Sequence, residues 1–361
     1  MTTICQAKPY LPAIESAYFK TTPADFIVTE QLDIEFSGAG EHLWVYVFKE
    51  NMNTTFVAKL LAMWADIGVR DVGFSGLKDR RAQTFQWFSL LIPKSVMPSI
   101  SFEKFIKTQA LNDDEKVSLL KTHWHHKKLG RGTHKTNHFN LTLREVKGNR
   151  QAIDEQLHAI ATLGVPNYFG DQRFGIDAQN IQKSQQFFEK ILATGKPYKP
   201  YKKDQERHAL LISTARSVLF NAVLDYRVSL GLWNQAIAGD VFNLDGTGSV
   251  FTSEITDEIC QRISKGDIHP TAPLFGAGKS LATDDCLSLE KAILDDEKYA
   301  SFTKGLVAIK AKMARRSTRL LIGNLKWQWQ NDEILTLEFN LPKGSFATVV
   351  LDAIVAELIQ S

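Results

Sequence analysis

What most constrains this chain is where its two hydrophobic periods fall. Alternating, strand-like runs crowd roughly the first 150 residues and return near residue 325, and a helix-rich stretch lies between them. Residues 17–30 (AYFKTTPADFIVTE) predict a short strand, a turn at Pro23 and a second strand centred on Phe26-Ile27-Val28. Residues 42–49 (HLWVYVFK) are apolar at nearly every position, the mark of a strand covered on both faces. Asn53 or Thr54 can cap a helix with the stripe Phe56, Val57, Leu60, Leu61, Trp64 and Ile67, which Gly68 stops. Residues 84–88 alternate and run into Leu90-Leu91-Ile92, and residues 138–146 put Phe139, Leu141 and Leu143 on one face. Strands with an interposed helix and no βαβ rhythm predict an α+β fold with a mostly antiparallel sheet.

The middle reads differently. A helix ends at Gly164, and helices fill much of 177–232. The clearest is STARSVLFNAVLDYRVSLG, with Ser213 as cap and Gly231 as terminator. Residues 240–285 read as loops and short strands, and 286–317 as one more helix. Strands return at 325–329 and 335–339, and a helix from Ser345 carries Val349, Val350, Ala353, Ile354 and Leu358. Strand-rich ends around a helical middle are the pattern of one domain inserted into another. A chain of 361 residues is also too long for one ordinary core.

With 44% hydrophobic and 23% charged residues the composition is that of a soluble globular protein. A net charge of +3 does not announce a polyanion binder, so any such footprint must come from clustering. Cys5, Cys260 and Cys286 lie far apart with no CxxC spacing. They make neither a disulfide framework nor a zinc site, and they fit a reducing compartment. No leader-like start and no apolar run of membrane-span length appears, so a cytoplasmic protein without a membrane partner is expected.

The stretch GFSGLKDRRAQTFQWFSL (73–90) carries the best candidate for chemistry. Asp79 sits on a turn loosened by Gly76, at the mouth of a strand, among Lys78, Arg80 and Arg81. A carboxylate on a loop between rigid strands suits catalysis, although a solvated, side-chain-capped turn explains the same charges. GAGKS (276–280) ends like a phosphate-binding loop, but Pro273 stands where that motif needs glycine. The preceding HPTAPLF, with two prolines, does not read as a buried strand. His123, His125, His126, His134 and His138 share their segment with Lys121, Lys127, Lys128, Arg131 and Lys135. Without a nearby cysteine or an HExxH pair, this favours a ribbon that meets phosphates over a metal site. Two further basic clusters are KPYKPYKKDQER (196–207), with Tyr198 and Tyr201 interleaved, and Lys310, Lys312, Arg315, Arg316 and Arg319, read as one side of a helix. A solvated face accounts for each alone. Together, with aromatics among them, they favour RNA or single strands over duplex DNA. Phe26, Phe139 and Phe346 each stand at an element edge beside polar residues, where core packing and base contact both fit.

GLKDRRAQTFQ resembles the signature of the TruD family of transfer-RNA pseudouridine synthases, K-D-x-x-A-x-T-x-Q around the catalytic aspartate. Here it falls on Lys78, Asp79, Ala82, Thr84 and Gln86. FKTTPADFIVTE before it and LGRGTHKTNHFNLTLREV, VPNYFGDQRFG, ARSVLFNAVL and LPKGSFATVVL after it stand in family order over nearly the whole chain. The match is weakest at 93–120 and 232–310. The resemblance implies an α+β pseudouridine synthase catalytic core with a mixed, mostly antiparallel sheet. An inserted helix-rich α+β TRUD domain would interrupt it, giving 1–163 and 321–361 as core and 164–320 as insert. It further implies isomerisation of uridine in tRNA, the family's target being uridine 13, with no cofactor and no metal. Asp79 would be the catalytic carboxylate, ionised at neutral pH. Phe139 would lie against a flipped base, with Phe26, Asn137 and Phe346 lining its pocket and Lys20 and Gln86 also binding the substrate. If the backbone is extended at Asp79, neighbouring side chains point away from it. A residue distant in sequence, Lys20 first, is then expected to pair with the carboxylate. The rival expectation is a non-catalytic RNA-binding or RNA-folding protein on the same scaffold. Without a large exposed apolar stripe, a monomer with no obligate protein partner is expected.

Overall fold

The computed structural model describes residues 7–170 and 173–360. Cys5, and Asp171 and Gln172 of the VPNYFGDQRFG block, lie outside the described residues. The chain divides into two compact units. The first takes in Pro12–Glu155, Ile322–Ala347 and the chain from Ile354 on, and the second holds the chain up to Leu11, Gln156–Leu321 and Thr348–Ala353.

In chain order the first unit contributes β1 (Ile14–Phe19), β2 (Phe26–Gln31), β3 (His42–Glu50), α1 (Thr54–Trp64), β4 (Val72–Phe74), β5 (Gln83–Leu91), α2 (Phe102–Ile106), β6 (Lys116–His125) and β7 (Thr136–Gly148). After α3 (Arg150–Leu163) come β8 (Val165–Pro166), α4 (Gln179–Thr194), α5 (Gln205–Ser229), β9 (Val241–Leu244), β10 (Val250–Thr252) and α6 (Asp257–Ser264). Next are β11 (Ile268–Leu274), α7 (Asp284–Leu294), α8 (Ala300–Ala308), β12 (Ala314–Ser317) and β13 (Arg319–Leu320). Last are β14 (Gly323–Asn331), β15 (Ile334–Pro342), α9 (Ala347–Ile354) and β16 (Val355–Gln360). Among the described residues no helix is long and apolar enough to cross a membrane.

The strands of the first unit form one ten-stranded sheet. Its main path runs β14-β15-β7-β2-β5-β3-β6; β1 pairs with β7 and β16, and β4 with β5. The sheet is mixed but mostly antiparallel, the pairs β2/β5 and β1/β16 being parallel. Period-two alternation sends Leu43, Val45 and Val47 of β3 and Phe88 and Leu90 of β5 to one face. There they pack on the predicted α1 stripe: Val57, Leu60, Leu61 and Trp64. The second unit carries a four-stranded sheet, β10-β9-β11-β12, and the short pair β13/β8. Its core gathers Leu219, Phe220, Val223 and Leu224 of α5 with Phe188 of α4 and Phe302 and Leu306 of α8. Gly305 permits that packing, because a Cβ there would lie 2.3 Å from the Phe188 ring.

Several local expectations differ from the structure. The helix read over 286–317 is α7 and α8 followed by a strand; Lys310, at φ +55, turns the chain out of the helix. The α5 helix starts at Gln205, eight residues before the predicted Ser213 cap, because the good helix formers upstream extend it. The C-terminal helix stops at Ile354, and Leu358 lies in β16, where the edge of β1 offers parallel pairing. HPTAPL does form a buried strand, β11. It pairs with β9 over Ile268–Pro270 and with β12 from Thr271 to Leu274, so each proline costs only a short ladder a donor. The cluster at 310–319 is not a basic helix face either. Arg315 is buried against Glu290 at 2.7 Å, and Arg319 is buried against His269 at 3.1 Å. Arg316 stacks 4.2 Å over Phe169, and burial lowers its guanidinium to about 10.

Candidate active site

Register builds the site. Residues directly opposite in paired strands share a face. Lys49 is opposite Thr84, Thr84 opposite Val28, Val28 opposite Phe139 and Phe139 opposite Phe339, so these form one row across β3, β5, β2, β7 and β15. Two residues along each strand lies a second row, with Gln86 of β5, Glu30 of β2 and Asn137 of β7. Both rows continue the face that α1 covers, and both are buried. A sheet interior carrying Lys49, Glu30, Thr84, Gln86 and Asn137 is polar at high cost unless something engages those groups.

The loop between β4 and β5, which carries Asp79, engages all of them but Thr84, whose buried hydroxyl has no hydrogen-bond partner among the described residues. Lys49 Nζ donates to the Asp79 carbonyl at 2.8 Å, and Gln86 Nε2 donates to the Gly76 carbonyl at 2.5 Å. Thr54 Oγ1 donates to Gln86 Oε1 at 3.2 Å and accepts from the Lys78 amide at 3.0 Å. The Lys78 ammonium turns inward to Glu30 at 3.2 Å and donates to Asn137 Oδ1 at 2.8 Å. Asn137 Nδ2 is 3.4 Å from His134 Nε2, and His134 Nδ1 is 2.5 Å from Ser75 Oγ. Burial, then the charges of Lys78 and Lys343, lower His134 to about 4, so its ring is neutral at pH 7. Burial raises the Glu30 carboxyl, and Lys78 opposes that shift. Arg80 turns outward, to the Asn51 carbonyl at 3.1 Å and to Glu115 at 3.5 Å.

The Asp79 side chain is left facing the opposite way. Lys20 Nζ stands 3.9 Å from Asp79 Oδ2 and 4.2 Å over the Phe26 ring. Burial lowers the Lys20 ammonium below the ordinary lysine range, and Asp79 pulls it back up. Lys20 itself adopts φ +59, a left-handed turn residue between β1 and β2. Phe26 lies near-parallel to Phe139 at 6.1 Å, and Phe139 near-parallel to Phe339 at 5.5 Å.

The structure thus gathers Asp79, Lys20, Phe26, Phe139, Asn137 and Gln86 on one face of one sheet. Phe346 is 39% exposed, beyond the turn that follows β15. Hydrogen bonds from Lys343 to the Lys135 and Gly132 carbonyls tie that turn down. The Asp79 carboxylate is open: its side chain is 44% exposed. Gln86 is completely buried with both amide ends engaged by Gly76 and Thr54, so it fixes the loop instead of offering an edge to a ligand. Phe26 and Phe139 are 4% and 5% exposed, so a base can reach them only after their covering side chains give way. Sequence reading missed Lys49, Glu30 and Thr54. Lys49 and Glu30 carried one available signal: a charge inside, or on the inward phase of, a strand-forming run.

The family model described as "tRNA pseudouridine synthase D (TruD)" matches residues 15–184 and 204–354. A protein of Psychrobacter arcticus named tRNA pseudouridine synthase D is 41% identical, over 98% of this chain and 94% of its own length. One of the same name from Pseudomonas syringae is 38% identical, over 96% of this chain and 94% of its own length. Among solved structures, a putative tRNA pseudouridine synthase D from Methanosarcina mazei superposes with a TM-score of 0.73. It covers 96% of this chain and 95% of its own at 21% identity, and so shares the fold. A site gathered on one face of a mixed sheet, a family match over most of the chain and relatives near 40% identity lead to one conclusion: the chain belongs to the TruD family of pseudouridine synthases.

Proposed function

We propose that this protein isomerises uridine to pseudouridine in tRNA, at position 13, with Asp79 as the catalytic carboxylate. The observation that carries this reading is the Asp79 loop. Its backbone is held by buried Lys49 and Gln86, while its carboxylate is left open beside Lys20 and the Phe26 ring. A structural carboxylate has its oxygens engaged, whereas a reactive one is aimed by its neighbours and left accessible.

In the reaction the bond from C1′ to N1 breaks and one from C1′ to C5 forms. The C5 proton leaves and N1 gains a proton. Substrate and product are isomers, so the balance needs no redox partner, metal or nucleotide. Asp79 attacks the sugar or the base, or takes a sugar proton, with the Lys20 ammonium beside the carboxylate at 3.9 Å. The target uridine leaves its stack to reach the carboxylate. On this reading Phe139 and Phe26 receive the base once their covering side chains move, Phe346 closes over it, and Asn137 reads its edge. Residues 164–320 act as the inserted TRUD domain, and 1–163 with 321–361 as the catalytic core, a reading supported by the second compact unit over Gln156–Leu321.

Tritium at uridine C5 in a tRNA transcript reports the reaction, because each turnover releases it to water. Wild-type protein without added cofactor is expected to release it, and Asp79→Ala to bind the same tRNA and release none. Binding without release in the wild type would favour the RNA-folding alternative.

A further inference from the structure

The second unit contains a groove that the reaction site does not use. It runs between α4 and the segment 198–211 and has a volume of about 820 Å³. That is within the range of sites that bury a ligand the size of a nucleotide. Its floor is aromatic. The Phe187 ring lies 4.8 Å from His208 and 6.0 Å from Tyr198, and Tyr198 Oη is 3.0 Å from His208 Nδ1. Its rim is basic: Lys183, Lys190, Lys199 and Arg207 line it against a single acid, Asp204, which pairs with Arg207 at 3.2 Å. Lys190 and Lys199 are exposed, with no ion pair among the described residues. Beside them Tyr201 is 76% exposed, far more than an aromatic ring needs for packing. The wall at 185–203 falls between the two segments of the family match, 15–184 and 204–354.

We propose that this groove is a second RNA-docking site, holding one unpaired nucleotide of the tRNA substrate outside the reacting centre. The inference rests on the reading of tRNA as substrate. Lysines at the rim meet the flanking phosphates. Tyr201 and the aromatic floor offer faces on which an unstacked base can lie, and these faces favour single-stranded RNA over a duplex.

The test measures tRNA affinity across a salt series, and KM and kcat by tritium release, in the full chain. Lys190→Gln/Lys199→Gln is expected to raise Kd and KM about tenfold and to lower the salt slope by about 1–2, with kcat within about twofold. Tyr201→Ala is expected to raise Kd about fivefold or more with an unchanged salt slope. The charge-matched control Lys265→Gln/Lys304→Gln, at exposed positions that do not line the groove, should move neither value. If the groove variants match the wild type, or the control matches the groove variants, the proposal fails. Relief of tRNA binding by micromolar uridine 5′-monophosphate would point to a small-molecule site and also overturn it. Affinity needs no turnover. If the wild type releases no tritium but the groove variants still lose tRNA, the catalytic reading falls and the docking site stands.

Discussion

Asp79 holds its position through its main chain, and Lys49 supplies the grip. A fully buried lysine whose ammonium meets a carbonyl is held well below its usual range, to about 8, chiefly by burial. Because the folded value lies below the unfolded one, the unfolded chain binds more protons between about pH 8 and 10.5. Burying the charged Lys49 therefore opposes folding below pH 8, by on the order of 3 kcal/mol, and that opposition fades as pH rises through the window. Urea melts at pH 7.5 and 10 are expected to show this upward contribution in wild type and to lose it in Lys49→Met. Activity should run the other way. As Lys49 loses its proton near pH 8, the loop loses a charge-assisted hydrogen bond, so kcat should carry an alkaline limb near 8. Lys49→Met should be slow at every pH and lack that limb. A limb unchanged in Lys49→Met would assign it to another group.

At the scale of elements, the loop between β4 and β5 is fastened to the sheet by one buried ion pair and a row of side-chain amides. Lys78 and Glu30 are 6% and 0% exposed. Removing one partner strands the other charge, so Glu30→Ala should cost about 3–5 kcal/mol in equilibrium urea unfolding. Glu30→Gln/Lys78→Met, which removes both charges, should cost clearly less. Gln86→Leu should lower kcat about tenfold or more with KM nearly unchanged, since it frees the Gly76 end of the loop without touching substrate. A change in KM alone would return Gln86 to a binding role. Much of this scale was legible in the sequence. The strands carrying Phe26, Gln86 and Phe139 announce themselves by alternation, and α1 by its stripe. The direction of Lys78 was not. Its partner Glu30 sits 48 residues earlier and meets it only through the parallel pairing of β2 with β5, which no local pattern encodes. Lys310 and Arg315 misled for a related reason. Basic residues spaced as on a helix look exposed, but here they fall on a turn and on a strand whose arginine is neutralised by Glu290.

Across the whole molecule, charge is sorted between interior and surface. The second unit buries Arg227 and Asp240, 1% and 0% exposed, at 2.8 Å, beside Cys286 and the Arg315–Glu290 pair. Asp240→Ala should destabilise that unit by about 3–5 kcal/mol, read as faster amide exchange along α5. The sequence order, strands around a helical middle, reads as one domain inserted in another; of the two compact units, one takes in Gln156–Leu321 with the chain up to Leu11 and Thr348–Ala353. The net charge of +3 hid which basic clusters face solvent, because burial decides that and composition does not record it. The proposed chemistry turns on one carboxylate on one loop, and C5-tritium release from tRNA reads it. The account predicts cofactor-free release by wild type and a loss of about 10³-fold or more in Asp79→Asn, with tRNA affinity and melting temperature preserved. Release by Asp79→Asn at the wild-type rate would contradict it.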